Sequence, residues 1–259
     1  MDHIKVFQSA YWQLNSIVCN YLGTTIVWDP AYTDREINDI YLEARKTFSD
    51  EKYLIYTHGD FDHILGDAHF EGFQKLGSMN MAQKTNKAKV IEQINTTDDE
   101  YYLDRLHSIQ FPILDQVIEE NISLMLGSVE TYFYKAGGHT SDGMFTIIPS
   151  IGLWVAGDYL SDIEFPFIED NIDEYYKTLD TADRILNSFD IKFMVPGHGN
   201  PTNSTSQIKS RIDQSLRYLD SFTKPNIDDW RKSWGYSPFE KSLDKMHLKN
   251  IKHVRSQSI

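Results

Sequence analysis

Short apolar runs rich in β-branched and aromatic residues alternate with segments of helical periodicity along the chain. In the first 60 residues these runs predict strands over 4–8, 16–22, 25–28 and 53–56. Between the last two, Ile37, Ile40, Tyr41 and Ala44 share one side of a helix predicted over 34–48. The chain therefore begins with strands and one amphipathic helix.

A second block of strands follows a more polar middle. Residues 66–115 are polar, with interruptions rich in Asn and Thr, and are predicted to be mainly helical. After them the pattern predicts strands over 122–126, 129–134, 144–148, 153–156 and 191–195, and helices over 173–187 and 206–222. Two similar halves without an internal repeat predict two packed β-sheets with helices outside them.

Composition narrows the function classes. The 259 residues contain 25 Lys and Arg against 38 Asp and Glu, a net charge of −13, which argues against nucleic-acid or anionic-membrane partners. A single cysteine, Cys19, excludes an intrachain disulfide and a cysteine-rich zinc site. No signal-peptide pattern opens the chain, and no apolar run approaches about 18 residues. We expect a cytoplasmic protein with a small-molecule substrate; a homodimer is compatible with this sequence.

The end of the chain differs in charge from the rest. Residues 241–259 carry five Lys and Arg and one Asp, a net charge of 5 − 1 = +4. We predict a main domain over 1–225 and a basic, helical extension over 226–259 that packs on it. The alternative is a partner-binding arm.

Four segments place metal-capable side chains at the ends of predicted strands. They are His58-Gly59-Asp60-Phe61-Asp62-His63, Gly137-Gly138-His139-Thr140, Ala156-Gly157-Asp158 and Val195-Pro196-Gly197-His198-Gly199. Imidazole nitrogens and carboxylate oxygens bind zinc-like ions, and glycine-rich loops let such groups converge. In the first segment, His58 and Asp60 would point one way from an extended start. Asp62 and His63 would begin a helix and point elsewhere, so that one segment could serve two ions.

This constellation resembles the metallo-β-lactamase superfamily of binuclear metallohydrolases, whose motif reads His-x-His-x-Asp-His, followed by separate His, bridging Asp and His positions. The resemblance covers roughly residues 4–200 and implies an αββα sandwich with both metals in one groove. The ligands it implies are His58, Asp60 and His139 for one ion, Asp62, His63 and His198 for the second, and Asp158 bridging both.

Asp60 departs from the motif, which has histidine at that position. The charge of two divalent ions would be balanced by a bridging hydroxide and the carboxylates of Asp60, Asp62 and Asp158. Histidine at position 60 would instead leave one surplus positive charge. A more neutral, oxygen-richer site should be a weaker Lewis acid and accept iron or manganese more readily. We expect two divalent ions, zinc first, with iron or manganese as alternatives.

Several neighbouring residues are candidates for further roles. Asp62 is predicted to be catalytic, and Tyr159 either stabilises a developing oxyanion or packs in the core. Residues 164–167, Glu-Phe-Pro-Phe, form either a pocket wall or simple packing. The loop 11–13, Tyr-Trp-Gln, lies either near the metals or in a surface or core position. Asp29 and Asp142 are expected to orient ligating histidines.

The resemblance implies a metal-dependent hydrolase in which a metal-bridging hydroxide attacks the substrate. Length and spacing favour a small hydrolase acting on an ester, lactone or thioester. The near-neutral site and the two phenylalanines at 165 and 167 favour an uncharged or weakly charged substrate. A phosphodiesterase of the same fold and a non-hydrolytic diiron redox or sensor protein are the alternatives.

Overall fold

A computed structural model of the protein describes residues 3–223 and 229–257. The chain divides into two compact units, residues 1–133 and 134–259. The strands are β1 (Ile4–Gln8), β2 (Asn15–Tyr21), β3 (Thr24–Trp28), β4 (Glu51–Ile55), β5 (Gln74–Ser78), β6 (Gln116–Ile118), β7 (Ile122–Leu126), β8 (Val129–Lys135), β9 (Met144–Ile148), β10 (Leu153–Val155) and β11 (Phe193–Val195). The α-helices are α1 (Asp34–Ala44), α2 (Met79–Ala82), α3 (Lys87–Tyr101), α4 (Ile172–Ser188), α5 (Thr205–Asp220) and α6 (Glu240–Gln257).

These strands form two mixed sheets, as the sequence predicted. One has six strands in the order β1-β2-β3-β4-β5-β6, and the other has five in the order β11-β10-β9-β8-β7. In the first sheet β1, β2 and β3 are antiparallel neighbours, whereas β3, β4, β5 and β6 run parallel. The carboxyl ends of the parallel strands therefore share one edge, and the loops that follow them meet there.

The polar middle of the chain is where the sequence prediction was wrong. Residues 66–115 contain the strand β5 in addition to α2 and α3. The sequence of β5, QKLGS, contains one large apolar residue, Leu76, so neither alternation nor an apolar run marks it as a strand. Its position is set instead by parallel pairing with β4 and β6, which is a tertiary effect.

Helix α1 begins where predicted and ends earlier than the predicted 48. Thr33 accepts a hydrogen bond from the backbone of Glu36, and the Glu36 carboxylate accepts one from the backbone of Thr33, which forms a capping box. Ile37, Ile40 and Ala44 are the buried face of the helix.

Helix α6 is anchored within the second unit by a buried asparagine. Asn250 accepts a hydrogen bond from the backbone of Ile168 and donates to the carbonyl of Pro166 and to the hydroxyl of Tyr218. The predicted domain boundary between 225 and 226 lies outside the described residues and stays a prediction. Of the helices described, none has the length and apolar character needed to cross a membrane.

Candidate metal centre

The first unit supplies four of the predicted ligands from one loop. This loop follows β4 at the shared edge of the parallel strands, and His58, Asp62 and His63 are buried in it while Asp60 is half-buried. His58 Nε2 lies 3.7 Å from Asp60 Oδ2, and His63 Nε2 lies 3.9 Å from Asp62 Oδ1. Each histidine thus presents the same ring nitrogen toward a neighbouring carboxylate.

The loop turns back on itself rather than starting a helix, which corrects the prediction for Asp62 and His63. Residues 61–63 form a turn in which the backbone of His63 donates to the carbonyl of Asp60 at 3.1 Å. As a result the rings of His58 and His63 face each other with centroids 4.1 Å apart. The two ends of the motif therefore lie together.

Asp29 orients this loop from the end of β3. Its Oδ1 accepts a hydrogen bond from the backbone of Thr57, its Oδ2 accepts one from the Thr57 hydroxyl, and the same Oδ2 lies 2.9 Å from His63 Nδ1. Thr57 Oγ1 in turn lies 3.0 Å from His58 Nδ1. The expected contact between Asp29 and a histidine of the motif is thus present, and its role in orienting a metal ligand stays a prediction.

Sequence reasoning missed one charged neighbour of the motif. Lys84 follows α2, and its Nζ lies 3.3 Å from Asp60 Oδ1 with only 13% of its side chain exposed. The position is reached through β5, so the failure to predict that strand concealed the contact. An isolated lysine 24 residues after Asp60 gives no signal in the sequence itself.

The second unit supplies the other three predicted ligands, which converge on Asp158. His139 Nε2 lies 3.3 Å from Asp158 Oδ2, and His198 Nε2 lies 3.4 Å from the same oxygen. The two histidines come from the loops after β8 and β11, and Asp158 from the loop after β10. One carboxylate oxygen is thus shared between two imidazoles.

Glycine at position 197 makes this convergence sterically feasible. A Cβ at Gly197 would lie 2.0 Å from Asp158 Oδ1, far inside van der Waals contact. The backbone of Gly197 also donates to the carbonyl of Gly157 at 2.5 Å. The two loops therefore approach so closely that any side chain at 197 would force Asp158 to move.

Tyr159 is a buried residue that holds the loop of His139. Its hydroxyl accepts a hydrogen bond from the backbone of His139 at 2.9 Å and lies 2.8 and 2.7 Å from the carbonyls of Ala136 and Gly137. Burial raises the pKa of this phenol well above its ordinary value, so the hydroxyl stays protonated and can donate. Its predicted contact with an oxyanion stays a prediction.

The donor set suits divalent metal ions. In His58, His63 and His139 the Nδ1 atom contacts a protein oxygen, from Thr57, Asp29 and the carbonyl of Phe167 respectively. Such contacts leave Nε2 as the nitrogen available to a metal, a typical arrangement in metal-ligating histidines. Two donor atoms that bind the same ion at about 2.0–2.2 Å lie roughly 3–4 Å from each other. The Nε2 and Oδ atoms described above have such separations. All seven predicted ligands belong to groups of His and Asp side chains that could hold a metal ion.

A small cavity in the second unit adjoins two of these ligands. Asp158 and His198 line it together with Glu164, Phe165 and Phe167. Phe165 also stacks on Tyr218 with ring centroids 4.3 Å apart, and it is almost fully buried. The segment 164–167 therefore lines the cavity and also packs in the core, so both alternatives apply to it.

An aromatic cluster adjoins the motif in the first unit. Trp12 packs edge-on against Phe61, with ring centroids 5.7 Å apart, and Phe61 stands between the two aspartates of the motif. Tyr11, Tyr32 and Tyr101 complete the cluster. Trp12 keeps 37% of its surface exposed. The loop 11–13 therefore presents an aromatic face beside the motif.

The chain belongs to the metallo-β-lactamase superfamily, whose sequence profile matches residues 13–198. No curated protein matches the chain. Among solved structures, a metallo-β-lactamase family protein from Thermus thermophilus is 13% identical to this chain and superposes on it with a TM-score of 0.66. The match covers 98% of this chain and 94% of the Thermus protein. Its fold confirms the predicted fold class of two sheets flanked by helices.

Two further neighbours carry different activities. The stereoselective inverting sec-alkylsulfatase of Pseudomonas sp. is 12% identical, with a TM-score of 0.65, 86% of this chain covered and 41% of the sulfatase. The rubredoxin oxygen:oxidoreductase of Desulfovibrio gigas is 15% identical, with a TM-score of 0.55, 85% of this chain covered and 61% of the oxidoreductase. At such identities the likeness concerns the fold, which does not select a reaction.

Proposed function

We propose that the protein is a metal-dependent hydrolase that cleaves a small-molecule ester, lactone or thioester. The observation that carries the proposal is the pair of donor groups: the loop after β4 with four ligands, and Asp158 with its two histidines. Together these seven side chains would hold two divalent ions, zinc first and iron or manganese as alternatives. Such ions supply Lewis acidity and an activated water molecule when bound.

Other residues of the chain orient the predicted ligands and form the surface beside them. Asp29 and Thr57 fix the rings of the motif histidines, and Tyr159 fixes the backbone that carries His139. Trp12 and Phe61 offer an apolar surface beside the motif, which suits the hydrocarbon part of a neutral substrate. We propose that this surface selects the substrate, while Asp62 belongs to the reacting centre.

A diiron redox or sensor protein is the second candidate. The observation that favours it is Asp60, which gives the motif an oxygen donor where histidine is the rule, and oxygen donors suit harder ions better than imidazole does. An iron site would show optical absorption that changes on reduction, whereas a dizinc site would show none.

Metal content and turnover together test the proposed hydrolase. Protein purified without chelators or an affinity tag should contain close to two metal ions per chain by inductively coupled plasma mass spectrometry. The metal-loaded protein should then hydrolyse members of a panel of esters, lactones and thioesters faster than matched phosphodiesters. One metal or none after reconstitution contradicts the proposal.

Substitutions in both donor groups provide the matching controls. Asp62→Ala and His198→Ala should abolish turnover while the proteins remain folded by circular dichroism. His69→Ala removes a histidine of the first unit that lies outside the motif and packs against His107, so it should leave turnover intact. Wild-type turnover in folded, metal-loaded Asp62→Ala and His198→Ala would overturn the mechanism.

A further inference from the structure

The two oxygen atoms of Asp60 face two different side chains. Oδ2 faces His58 Nε2 at 3.7 Å, and Oδ1 faces Lys84 Nζ at 3.3 Å. One oxygen thus lies on the side of the motif and the other on the side of the lysine. The lysine and aspartate side chains are 13% and 20% exposed, so bulk water screens their interaction only in part.

Local structure brings Lys84 to this position. Ser78, at the end of β5, caps α2 by accepting a hydrogen bond from the backbone of Met81. The backbone of Lys84 then donates to the carbonyl of Met81 at 3.3 Å as the chain leaves the helix. Because β5 runs parallel to β4, its carboxyl end lies at the edge that also carries the motif.

We infer that Asp60 and Lys84 act together as a charge-neutral substitute for the histidine of the family motif. A histidine that binds a metal is neutral, whereas an aspartate brings one negative charge. Lys84 returns one positive charge at 3.3 Å, so the pair adds no net charge. The sequence-based charge count omitted this lysine; with it the site carries the one surplus positive charge that histidine at position 60 would leave, so the proposed neutral substrate rests on the apolar surface of Trp12 and Phe61 and not on charge. The inference rests on the proposed metal centre.

Substitutions of the two residues should change metal affinity in opposite directions. Lys84→Met removes a positive charge 3.3 Å from the Asp60 carboxylate, so divalent ions should bind about tenfold more tightly than in the wild type. Asp60→His removes a negative charge from the motif while Lys84 keeps its positive charge, so they should bind about tenfold more weakly. In the double variant Asp60→His with Lys84→Met both charges are gone, and affinity should return to within about threefold of the wild type.

Competition with a chromogenic chelator, using Zn²⁺ and Mn²⁺ as the probes, measures these affinities without any substrate. Lys75→Met is the matched control, because Lys75 forms a comparable half-buried pair with Asp67 in the same unit, with Nζ 2.7 Å from Oδ2. It should leave metal affinity unchanged. Circular dichroism of each metal-free variant checks that the fold is retained.

The outcomes separate this inference from the proposed function. If the wild type binds two ions and Lys84→Met weakens binding without rescue in the double variant, Lys84 only positions Asp60 and the inference is wrong. If Lys84→Met behaves like Lys75→Met, the charge of Lys84 has no part in the site and the inference is also wrong. A wild type that binds no metal overturns the proposed centre itself, and the inference with it.

Discussion

Asp29 and His63 follow different strands of one sheet and meet through a 2.9 Å contact between Asp29 Oδ2 and His63 Nδ1. The contact fixes the ring so that Nε2 faces the other donors of the motif. Asp29→Asn should therefore lower metal affinity by about 10–100-fold, measured by chelator competition. Asp67→Asn, which alters a carboxylate bound to Tyr56 and Lys75, should not. Equal affinity in the wild type and Asp29→Asn would show that Asp29 serves only the fold.

Gly197→Ala should disrupt the donor group around Asp158. The new methyl group would lie 2.0 Å from the carboxylate oxygen, so Asp158 must move away from the position it shares with His139 and His198. We expect metal content by mass spectrometry to fall by at least one ion per chain.

Gly137→Ala is the control for this substitution. A Cβ at Gly137 would lie 3.3 Å or more from its neighbours, the flexible side chains of Glu174 and Lys135. Metal content should stay at the wild-type value. If both alanine variants keep their metal, the close approach at position 197 has no consequence for the site.

Tyr159→Phe separates two roles for this hydroxyl. If it holds the loop of His139, its removal should lower the free energy of unfolding by about 1–3 kcal/mol and weaken metal binding. If it stabilises an oxyanion, kcat should fall while metal affinity stays constant. We expect the first result. Tyr218→Phe removes a buried hydroxyl that contacts His247 and Asn250, and should cost stability alone.

Trp12→Ala tests the aromatic surface beside the motif. Loss of the indole should raise KM about tenfold for substrates with a large apolar group and leave kcat nearly unchanged, because the ring packs on Phe61 and is not one of the predicted ligands. A small substrate such as a methyl ester should be affected little. Phe48→Ala removes an aromatic ring that is 87% exposed and should have no effect on either substrate. An equal rise in KM for both substrates would contradict selection by Trp12.

The carboxylate of Glu36 should make the free energy of unfolding depend on pH. Burial alone would raise its pKa, but hydrogen bonds from Thr33, Ser9 and Ala10 together outweigh that effect and hold the pKa below its ordinary value of 4.5. The ionised side chain therefore stabilises the fold above about pH 4.5, and this contribution disappears as the pH falls through the lowered pKa. Glu36→Gln should cost about 1 kcal/mol in urea unfolding at pH 7 and less at acidic pH. Glu71→Gln, at an exposed position of the same unit, should show no such trend.

The fold was largely predictable because its strands carry their own signal. The runs in β1, β7 and β9 are apolar or alternating, and their bounds agree with the predicted ones. The strand β5 was not predictable, since Leu76 is its one large apolar residue and its place depends on pairing with neighbours. The seven predicted ligand positions came from strand-end motifs and a family resemblance. The contact of Lys84 with Asp60 depends on tertiary structure that no local pattern records.

The parallel strands of the first sheet have an evolutionary consequence. Asp29 follows β3, the loop with the four predicted ligands follows β4, and β5 leads to Lys84, so each strand brings a different group to one edge. Ladder hydrogen bonds hold the strands in register independently of what the loops contain. A loop can thus change in length or sequence without shifting the strands, provided that the contacts of Asp29 and Lys84 with the loop after β4 are kept. The surface around the proposed metal centre can therefore be varied while the predicted donor atoms stay in place, and grafting a loop from a relative is a direct way to do so.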